Sequence, residues 1–396
     1  MAKNNLENIL NKKAKADVGW KPFIFDLKHE KDRRAIKKLL AAREIQSVSD
    51  DYEEQLRELF GVKTPSKVYT PGFKEKFKEF HDSLKKKSSL AEHGRWVFYP
   101  WLTTLVHILP ENDFQLVRTA RNRNLITKEE QEKFYNATIG IGGLSIGSSV
   151  AAAIVLQGGG RHIRLADMDR LALTNTNRVK AGVQNLGVLK VVLTARQIYE
   201  MNPYAKVEIV SEGLTPKNIK KFFTGLDIVI DELDNLAVKF LIREQAKNHR
   251  IAVVMAADNG DNSVVDVERY DLNPKTPFFH GRMGKVTYDE LVNLDKFGIG
   301  KMITKHVGPE NVTERMQQSL LQMGKTIVSW PQLGGAALMN GSAVAYCVRK
   351  ILNGQPLESN RAILSLDEKL TPDYNSPTQR KRRSKVAASF RKIFGL

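Results

Sequence analysis

The chain has 396 residues, of which 42% are hydrophobic, enough to bury a large core and to predict two or three domains. It has no apolar run of the ~18 to 20 residues that span a membrane, and its amino terminus lacks the apolar segment of a signal peptide, so we expect a soluble cytoplasmic protein. The single cysteine, Cys347, excludes an intrachain disulfide framework and a Cys-x-x-Cys zinc site.

Positive charge predominates, because 62 Lys and Arg stand against 44 Asp and Glu, a formal net charge of +18. Such a field attracts acidic partners, whether nucleic acid, anionic lipid or an acidic protein. A surface that is only well solvated is the alternative, which composition leaves equally open.

Residues 1–110 are predicted to form a helical accessory region. Apolar residues recur at helical spacing in DRRAIKKLLAAREI and in DYEEQLRELFGV. The aromatic cluster of Trp96, Phe98, Tyr99 and Trp101 predicts a packed junction onto the next domain, with an aromatic platform for nucleobases as the alternative.

Residues 111–270 alternate apolar strands with helices, which predicts an α/β domain with a doubly wound, mainly parallel sheet. Open sheets of this class bind ligands at the carboxyl ends of their strands. Strands are expected near 138–142, 162–166, 206–210, 227–231 and 251–255, and helices near 146–157, 187–200, 216–223 and 236–248.

The first of these strands leads into a glycine turn, TIGIGGLSIG. Gly140, Gly142 and Gly143 allow backbone N–H groups and a helix N-terminus to approach a phosphate. Asp167, at the end of the second strand, is expected to accept hydrogen bonds from ribose hydroxyls. Asp169 is a further nucleotide-binding candidate, although capping the loop is its simplest role. This pattern predicts a nucleotide-binding βαβ unit and leaves NAD, FAD, S-adenosylmethionine and ATP open.

The segments that follow favour ATP. Asn175 and Arg178, in the run TNTNR, are expected to contact phosphates. Lys190 is expected to neutralise charge at the α-phosphate, and Asp234, just after the strand LDIVI, to hold Mg²⁺. A dehydrogenase has no obvious use for these groups, whereas a triphosphate requires cations along its chain and a carboxylate for its magnesium.

Together these motifs resemble the ThiF/MoeB/HesA superfamily, whose adenylating domain is shared with ubiquitin-activating enzymes. The pattern of GxGGxG, DxD, sNLNRQ, GxxK, NP and DxxDN is met in order across about residues 118–260. The TNTNR run is most similar to the branch that dehydrates threonylcarbamoyl-adenosine in tRNA. The wider context is similar to poorly characterised ThiF-type proteins, some with a nitroreductase-like domain that this chain lacks. The departures are Ser145, where a third glycine is usual, and Val179, where Gln is usual.

The resemblance implies a homodimer in which an arginine before the first strand reaches the γ-phosphate bound by the other subunit. Arg121 matches that position best, with Arg118 and Arg123 close behind. Thioester-forming branches also use a cysteine in the crossover region, and residues 261–330 contain none. The adenylate is therefore expected to pass to an external acceptor or to collapse by dehydration.

The end of the chain is expected to contain two further regions. Residues 271–370 are predicted to form the substrate and crossover region, with a packing helix of small residues that buries Cys347 as an inert thiol. Residues 371–396 are a basic tail, for which a flexible solubilising segment is the simplest interpretation. An amphipathic helix on an anionic membrane and a nucleic-acid-binding segment are the alternatives.

The sequence thus predicts an ATP- and Mg²⁺-dependent adenylyltransferase, in which a carboxylate or similar oxygen nucleophile attacks the α-phosphate and pyrophosphate leaves. The acceptor is open among a small ubiquitin-like or sulfur-carrier protein, a peptide, a modified tRNA and a small molecule. The rival hypotheses are an NAD(P)- or FAD-dependent oxidoreductase and a non-catalytic nucleotide- or nucleic-acid-binding protein. The predicted catalytic residues are Arg121, Arg178, Lys190 and Asp234.

Overall fold

The structure is a computed structural model that describes residues 19–396, so the first 18 residues of the predicted accessory region lie outside the described residues. The chain divides into two compact units, one comprising the residues up to 132 together with 195–205, the other residues 133–194 and 206–396. Among the helices of residues 19–396, none has the length and apolar character needed to span a membrane. The cytoplasmic location stays a prediction.

The first unit contains a four-stranded sheet in addition to the predicted helices. The sheet has the order β1-β3-β4-β2, in which β2 and β4 are parallel and the other neighbours antiparallel. Its strands have only three to five residues, too short to show a clear alternation in the sequence. The elements are β1 (Phe23–Phe25), α1 (Glu30–Ala41), β2 (Ser47–Asp50), α2 (Tyr52–Lys63), α3 (Phe73–Lys85), β3 (Arg95–Tyr99), β4 (Thr104–Ile108) and α4 (Glu111–Arg118).

The aromatic cluster belongs to the interior of this first unit. Trp96, Phe98 and Tyr99 are buried, and the Trp96 indole N–H donates to the Ala91 carbonyl oxygen at 2.9 Å. Trp101 donates to Glu200 at 2.6 Å. Because three of the four rings are packed inside the unit, they do not form an open platform on which bases could stack.

The second unit is built on a seven-stranded sheet of order β11-β10-β9-β8-β5-β6-β7. Strands β5 to β9 are parallel, whereas β10 and β11 add antiparallel pairs at one edge. This confirms the mainly parallel doubly wound sheet. The strands are β5 (Thr138–Gly142), β6 (His162–Ala166), β7 (Lys206–Val210), β8 (Ile228–Asp231), β9 (Ala252–Asn259), β10 (Asn262–Glu268) and β11 (Arg361–Leu364).

The four helices predicted between residues 146 and 248 agree with the observed ones to within a few residues, whereas the helices between residues 288 and 320 and the one at 366–370 were not predicted. Thr127 caps α5 (Lys128–Asn136) through a reciprocal pair of hydrogen bonds with Glu130, at 2.9 and 3.2 Å. The helices are α5 (Lys128–Asn136), α6 (Ile146–Leu156), α7 (Lys190–Met201), α8 (Ile219–Phe223), α9 (Leu236–His249), α10 (Tyr288–Val292), α11 (Lys296–Val307), α12 (Glu314–Leu320), α13 (Gly334–Leu352), α14 (Leu366–Leu370) and α15 (Pro377–Phe394).

Two differences from the expected elements follow from pairing at the sheet edge. β9 continues to Asn259 instead of ending near residue 255, because β10 pairs with it along its whole length. β11 pairs in turn with β10, so a strand of the segment 271–370 completes the sheet of the segment 111–270. The expected domain boundaries at residues 110, 270 and 370 stay predictions.

Small residues allow the close approaches within the second unit. Gly143 has φ +83°, and a Cβ at this position would collide with the carbonyl group of Glu232. The helix of small residues, α13, packs on α6 as predicted, and a Cβ at Gly341 would lie 2.8 Å from backbone atoms of Ser149. The glycine turn therefore holds the end of β5 against the residues that follow β8.

Gly143→Ala tests this close approach, with Gly187→Ala as the matched control. Gly187 has φ +84°, but a Cβ there would meet nothing within 4 Å. Both variants carry the strain of a left-handed alanine, on the order of 1 kcal/mol, and only Gly143→Ala adds a steric clash. We expect Gly143→Ala to lower the free energy of unfolding in urea by about 2 kcal/mol more than Gly187→Ala. Equal losses in the two variants would contradict the close approach of Gly143 to Glu232.

Candidate functional site

The candidate site lies where the strand order reverses. From β5 the chain proceeds to β6 and β7 on one side, and β8 and β9 lie on the other. Ligands of open parallel sheets bind at the carboxyl ends of the strands beside such a reversal. The glycine turn after β5 and the loops that carry Asp167 and Asp234 all begin at these strand ends.

Asp167 is buried against the glycine turn. Its Oδ2 accepts from the Leu144 N–H at 2.6 Å, and its Oδ1 accepts from the Asp169 N–H at 2.7 Å. Burial raises the pKa of Asp167, and these two hydrogen bonds oppose the shift. A carboxylate oxygen can accept more than one hydrogen bond, so the predicted contact with ribose hydroxyls is compatible with this geometry.

Lys190 and Asp169 form an ion pair beside Asp167. The Lys190 Nζ donates to Asp169 Oδ2 at 2.9 Å, and the backbone N–H of Lys190 donates to the Asp169 carbonyl oxygen at 2.9 Å. The lysine side chain is largely buried, whereas that of Asp169 is exposed. Asp169 thus holds the start of α7 against its loop. The ammonium group keeps further N–H donors for a phosphate, the role predicted for it.

The TNTNR run lies against the glycine turn through Arg178. Its Nε donates to Ser145 Oγ at 2.9 Å, and its Nη1 donates to the Thr174 carbonyl oxygen at 3.1 Å. Ser145, which replaces the usual third glycine, thus helps to orient the guanidinium group. The Asn175 Oδ1 accepts from the Ala172 N–H at 3.1 Å and closes the turn before the run. Contact of Asn175 and Arg178 with phosphates stays a prediction.

The two aspartates of residues 231–235, the DELDN segment, have different surroundings. Asp231 is fully buried and pairs with Arg243 and with Lys239, the latter at 3.2 Å. Burial alone would raise the pKa of Asp231, but these two cations hold it below its usual range. Asp234 is exposed in the loop, and Asn235 caps α9 by accepting from the Val238 N–H at 3.1 Å. Asp234 is therefore the aspartate of this segment that can reach a ligand.

Arg178 and Asp234 line one cavity of about 320 Å³, the site cavity. Burial lowers the pKa of Arg178, and the negative charges of Asp258 and Asp234 oppose that shift. The walls are largely apolar and include Leu236, Phe279 and part of the segment before α13. That segment is held to the TNTNR run, because Asn177 Nδ2 donates to the Gln332 carbonyl oxygen at 2.8 Å.

Two buried carboxyl groups, Glu232 and Asp258, also line the site cavity, and the sequence reasoning missed both. Burial raises the pKa of Glu232 well above its usual value, and its Oε1 accepts from the Ala256 N–H at 3.0 Å. Burial likewise raises the pKa of Asp258 to about 6, against the attraction of Arg178. Asp258 stands near the end of β9, and the rule that selected Asp167 at the end of β6 would have found it.

The carboxyl group of Asp258 is oriented from behind by buried amide and hydroxyl groups. Its Oδ1 accepts from Asn340 Nδ2 at 2.6 Å, and the Asn340 Oδ1 accepts from Ser263 Oγ. Its Oδ2 is buried, and a hydrogen bond from the Gln332 side chain opposes, together with the charge of Arg178, the rise in the pKa of this carboxyl group. Asn340 of α13 thus supports one oxygen of a residue that lines the site cavity.

Packing already requires two of the predicted glycines, and the predicted arginine lies in the first unit. A Cβ at Gly140 would lie 2.6 Å from Leu226, and one at Gly142 would lie 3.3 Å from Leu233, so internal packing already requires small residues there. Arg121 is exposed in the short turn Ala120–Asn122 of the first unit. The roles of all three residues toward a nucleotide stay predictions.

The carboxylates of the site suit a metal ion that takes most of its ligands from substrate phosphates and water. Among residues 19–396, no three His, Cys, Asp or Glu side chains are grouped to hold a metal. Mg²⁺ commonly binds through one or two carboxylates together with substrate phosphates and water. Asp234 beside Arg178 fits such an ion and does not suit a closed protein cage.

The comparison with protein families agrees with this arrangement. Residues 119–384, more than half of the chain, match the model of the ThiF family. The chain belongs to the ThiF family. The match includes the glycine turn, the TNTNR run and the DELDN segment, and it extends through the helix α13 that supports Asp258.

Similar proteins match part of this chain and are longer than the matched part. Uncharacterized protein MT1398 of Mycobacterium tuberculosis is 39% identical over 272 residues, which are 69% of this chain and 38% of that protein. The tRNA threonylcarbamoyladenosine dehydratase of Escherichia coli is 34% identical over 31% of this chain and 45% of that protein. The sulfur carrier protein adenylyltransferase of Thermus thermophilus is 28% identical over 39% of this chain and 56% of that protein. The chain thus spans between 38% and 56% of these relatives.

Asp258→Asn tests the buried carboxyl group through the pH dependence of stability. A raised pKa means that the charged form destabilises the folded state above about pH 6, and that this cost disappears as the pH falls toward the ordinary Asp value of about 4. Asn keeps an acceptor for Asn340 and removes the charge. We expect the variant to be more stable than the wild type by roughly 1 to 3 kcal/mol near pH 7.5, with the gain shrinking near pH 4.5.

The measurement is urea unfolding at both pH values, with Asp261→Asn as the control. Asp261 is exposed in the turn between β9 and β10, so its substitution should change little at either pH. A difference between Asp258→Asn and wild type that did not vary with pH would show that Asp258 titrates as an ordinary surface carboxyl group.

Proposed function

We propose that this chain is an ATP-dependent adenylyltransferase that activates a carboxylate, or a similar oxygen nucleophile, as an acyl-adenylate. The nucleophile's oxygen would attack the α-phosphorus of ATP, the bond to the bridging oxygen would break, and pyrophosphate would leave. The observation that carries the proposal is the position of Arg178, bonded to Ser145 of the glycine turn and lining one cavity with Asp234. A cation suited to phosphate oxygens and a carboxylate suited to Mg²⁺ thus line the same cavity, and the cation is bonded to the glycine turn.

Each of these side chains would have a different role in the reaction. The buried Asp167 would accept ribose hydroxyls and so place the sugar. Lys190, held by Asp169, and Arg178, held by Ser145, would neutralise the charge that develops on the phosphates. When bound, Mg²⁺ would supply Lewis-acid stabilisation of the phosphate oxygens, with Asp234 as its protein ligand. Catalysis would rest on positioning and electrostatics more than on proton transfer.

The burial of the single cysteine bears on the reaction that the adenylate would undergo next. Cys347 is buried in α13, and burial raises the pKa of its thiol to about 11, so little thiolate exists near neutral pH. We therefore propose transfer to an external acceptor or collapse by dehydration. The relatives' names mention a tRNA nucleoside in one protein and a sulfur carrier in another, and a peptide or small molecule remains equally open for this chain.

The proposed active form is a homodimer in which Arg121 reaches the nucleotide bound by the partner. Its support is that Arg121 is exposed, near the start of the family match at residue 119. An exposed guanidinium is able to contact a triphosphate on another molecule without an internal pair having to break.

The proposal is tested by thermal stabilisation with Mg-ATP against NAD⁺, NADP⁺ and FAD at equal concentration. A ligand that binds only the folded state at ~100 times its dissociation constant stabilises by about 2.7 kcal/mol. We expect Mg-ATP alone to raise the melting temperature of the wild type. Asp234→Ala should reduce that shift, because it removes the protein ligand of the magnesium ion.

Asp261→Ala is the matched control, since it removes an exposed aspartate from a turn of the same unit and should respond to Mg-ATP as the wild type does. Stabilisation by a dinucleotide with none by ATP would replace the proposal with an oxidoreductase. An unchanged Mg-ATP shift in Asp234→Ala would leave ATP binding standing and remove the metal assignment.

A further inference from the structure

The basic end of the chain is an ordered helix, α15, instead of the flexible tail expected from the sequence. Ser376 caps it by accepting from the Gln379 N–H at 3.4 Å, Pro377 occupies its first turn, and Gly395 ends it with φ +60°. The helix contains seven Lys or Arg and no acidic residue. Start and stop signals at both ends explain why this segment forms a helix of 18 residues.

One face of α15 is packed against the rest of the second unit. Phe390 is 2% exposed and Ala387 is 9% exposed. Phe394 stacks on Phe297 of α11 with ring centroids 5.5 Å apart. The helix also contacts α12. Its apolar side chains therefore serve to attach it to the protein.

Three lysines occupy the face opposite to this attachment. At about 100° per residue, Lys381, Lys385 and Lys392 lie within about 40° of one another around the helix axis, and about 170° from the centre of the packed face. The side chains of all three are exposed and make no ion pair or hydrogen bond with the described residues. We call this line of side chains the lysine stripe. The small Ala388 lies between them, so no bulky side chain interrupts the stripe.

Three of the four arginines of α15 are already engaged. Arg382 pairs with Glu314 at 3.1 Å, and Arg391 pairs with Glu310 at 2.5 Å. The Arg383 guanidinium lies 3.8 Å from the centroid of the Tyr374 ring. These contacts hold the helix in place and neutralise the two nearby glutamates. The stripe consequently presents uncompensated positive charge on a rigid support.

The packing of α15 argues against a membrane as the partner. A helix that lies in a bilayer interface inserts an apolar face several ångströms deep. All residues of this helix are described, and Ile393 is its one exposed large apolar residue, with 45% of its surface accessible. The phenylalanines are turned toward the protein. The surface offered to a partner is thus charged and not apolar, as backbone recognition of nucleic acids requires.

We propose that the lysine stripe of α15 is a docking surface for the phosphate backbone of a nucleic acid. From Lys381 to Lys392 the stripe is about 16 Å long, because an α-helix rises about 1.5 Å per residue. A duplex carries one negative charge per ~1.7 Å of its axis, so several phosphates lie within that length. The recognition is electrostatic and independent of base sequence. It does not depend on the adenylyltransferase proposal.

The test measures binding of a fluorescently labelled RNA duplex, and of a DNA duplex of the same sequence, by the full chain at several salt concentrations. Each phosphate contact that is lost reduces the slope of log K against log salt by about 0.9. The triple variant Lys381→Gln, Lys385→Gln, Lys392→Gln should therefore lose about 2.7 of slope and bind at least ~10-fold more weakly near 0.1 M salt. The stronger of the two duplexes identifies the nucleic acid.

Two further proteins make the result decisive. The control Lys217→Gln, Lys220→Gln, Lys221→Gln removes the same charge from exposed lysines at and before α8, and it should keep nearly the full slope. Replacing the three stripe lysines by arginine should keep binding, because charge and not the ammonium group is required.

Three outcomes would overturn the proposal. Equal losses in the stripe variant and the control would show that only the overall charge matters. No binding of either duplex by the wild type at low salt would exclude a nucleic-acid surface. Stripe-dependent binding to phosphatidylserine vesicles, without binding to the duplexes, would assign the stripe to a membrane.

Discussion

The arrangement of the site depends on a buried arginine between two buried carboxylates. Arg243 of α9 pairs with Asp231 at the end of β8 and, at 2.8 Å, with Glu268 at the end of β10, and it lies 4.0 Å from the centroid of the Phe279 ring. Removing one partner of such a group leaves an uncompensated buried charge, which typically costs about 3 to 5 kcal/mol. The network joins α9 to two strands and so determines where the loop to Asp234 begins.

That network also explains why neighbouring acids in one short segment have different properties. Asp231 is paired and stays ionised, Glu232 is buried and has a raised pKa, and Asp234 is exposed beside Arg178. The backbone is constrained at the same point, since the Glu232 carbonyl group leaves room only for a glycine at Gly143. Packing and electrostatics thus both constrain the segment that follows β8.

Local patterns account for most of what the sequence could predict. The strand β5 and the glycine turn depend on residues close together in the chain, and the structure confirms both. The sheet of the first unit was missed, because its strands are short and because β1 and β2 pair with β3 and β4 across long intervening segments. The sequence left a helical tail as an alternative to a flexible one, because what holds α15 in place is contact with distant residues such as Phe297, on which Phe394 stacks.

The sequence by itself determined the class of the fold and the order of the motifs, since glycine turns, strand-end carboxylates and helix caps act through the backbone of their own neighbourhood. The tertiary structure decided which charges are paired and which face a cavity. It brought Asp258 to Arg178, and it turned three lysines of α15 outward while two arginines were neutralised. Burial and ion pairing depend on what packs against a residue, and segments far apart in the chain supply those neighbours.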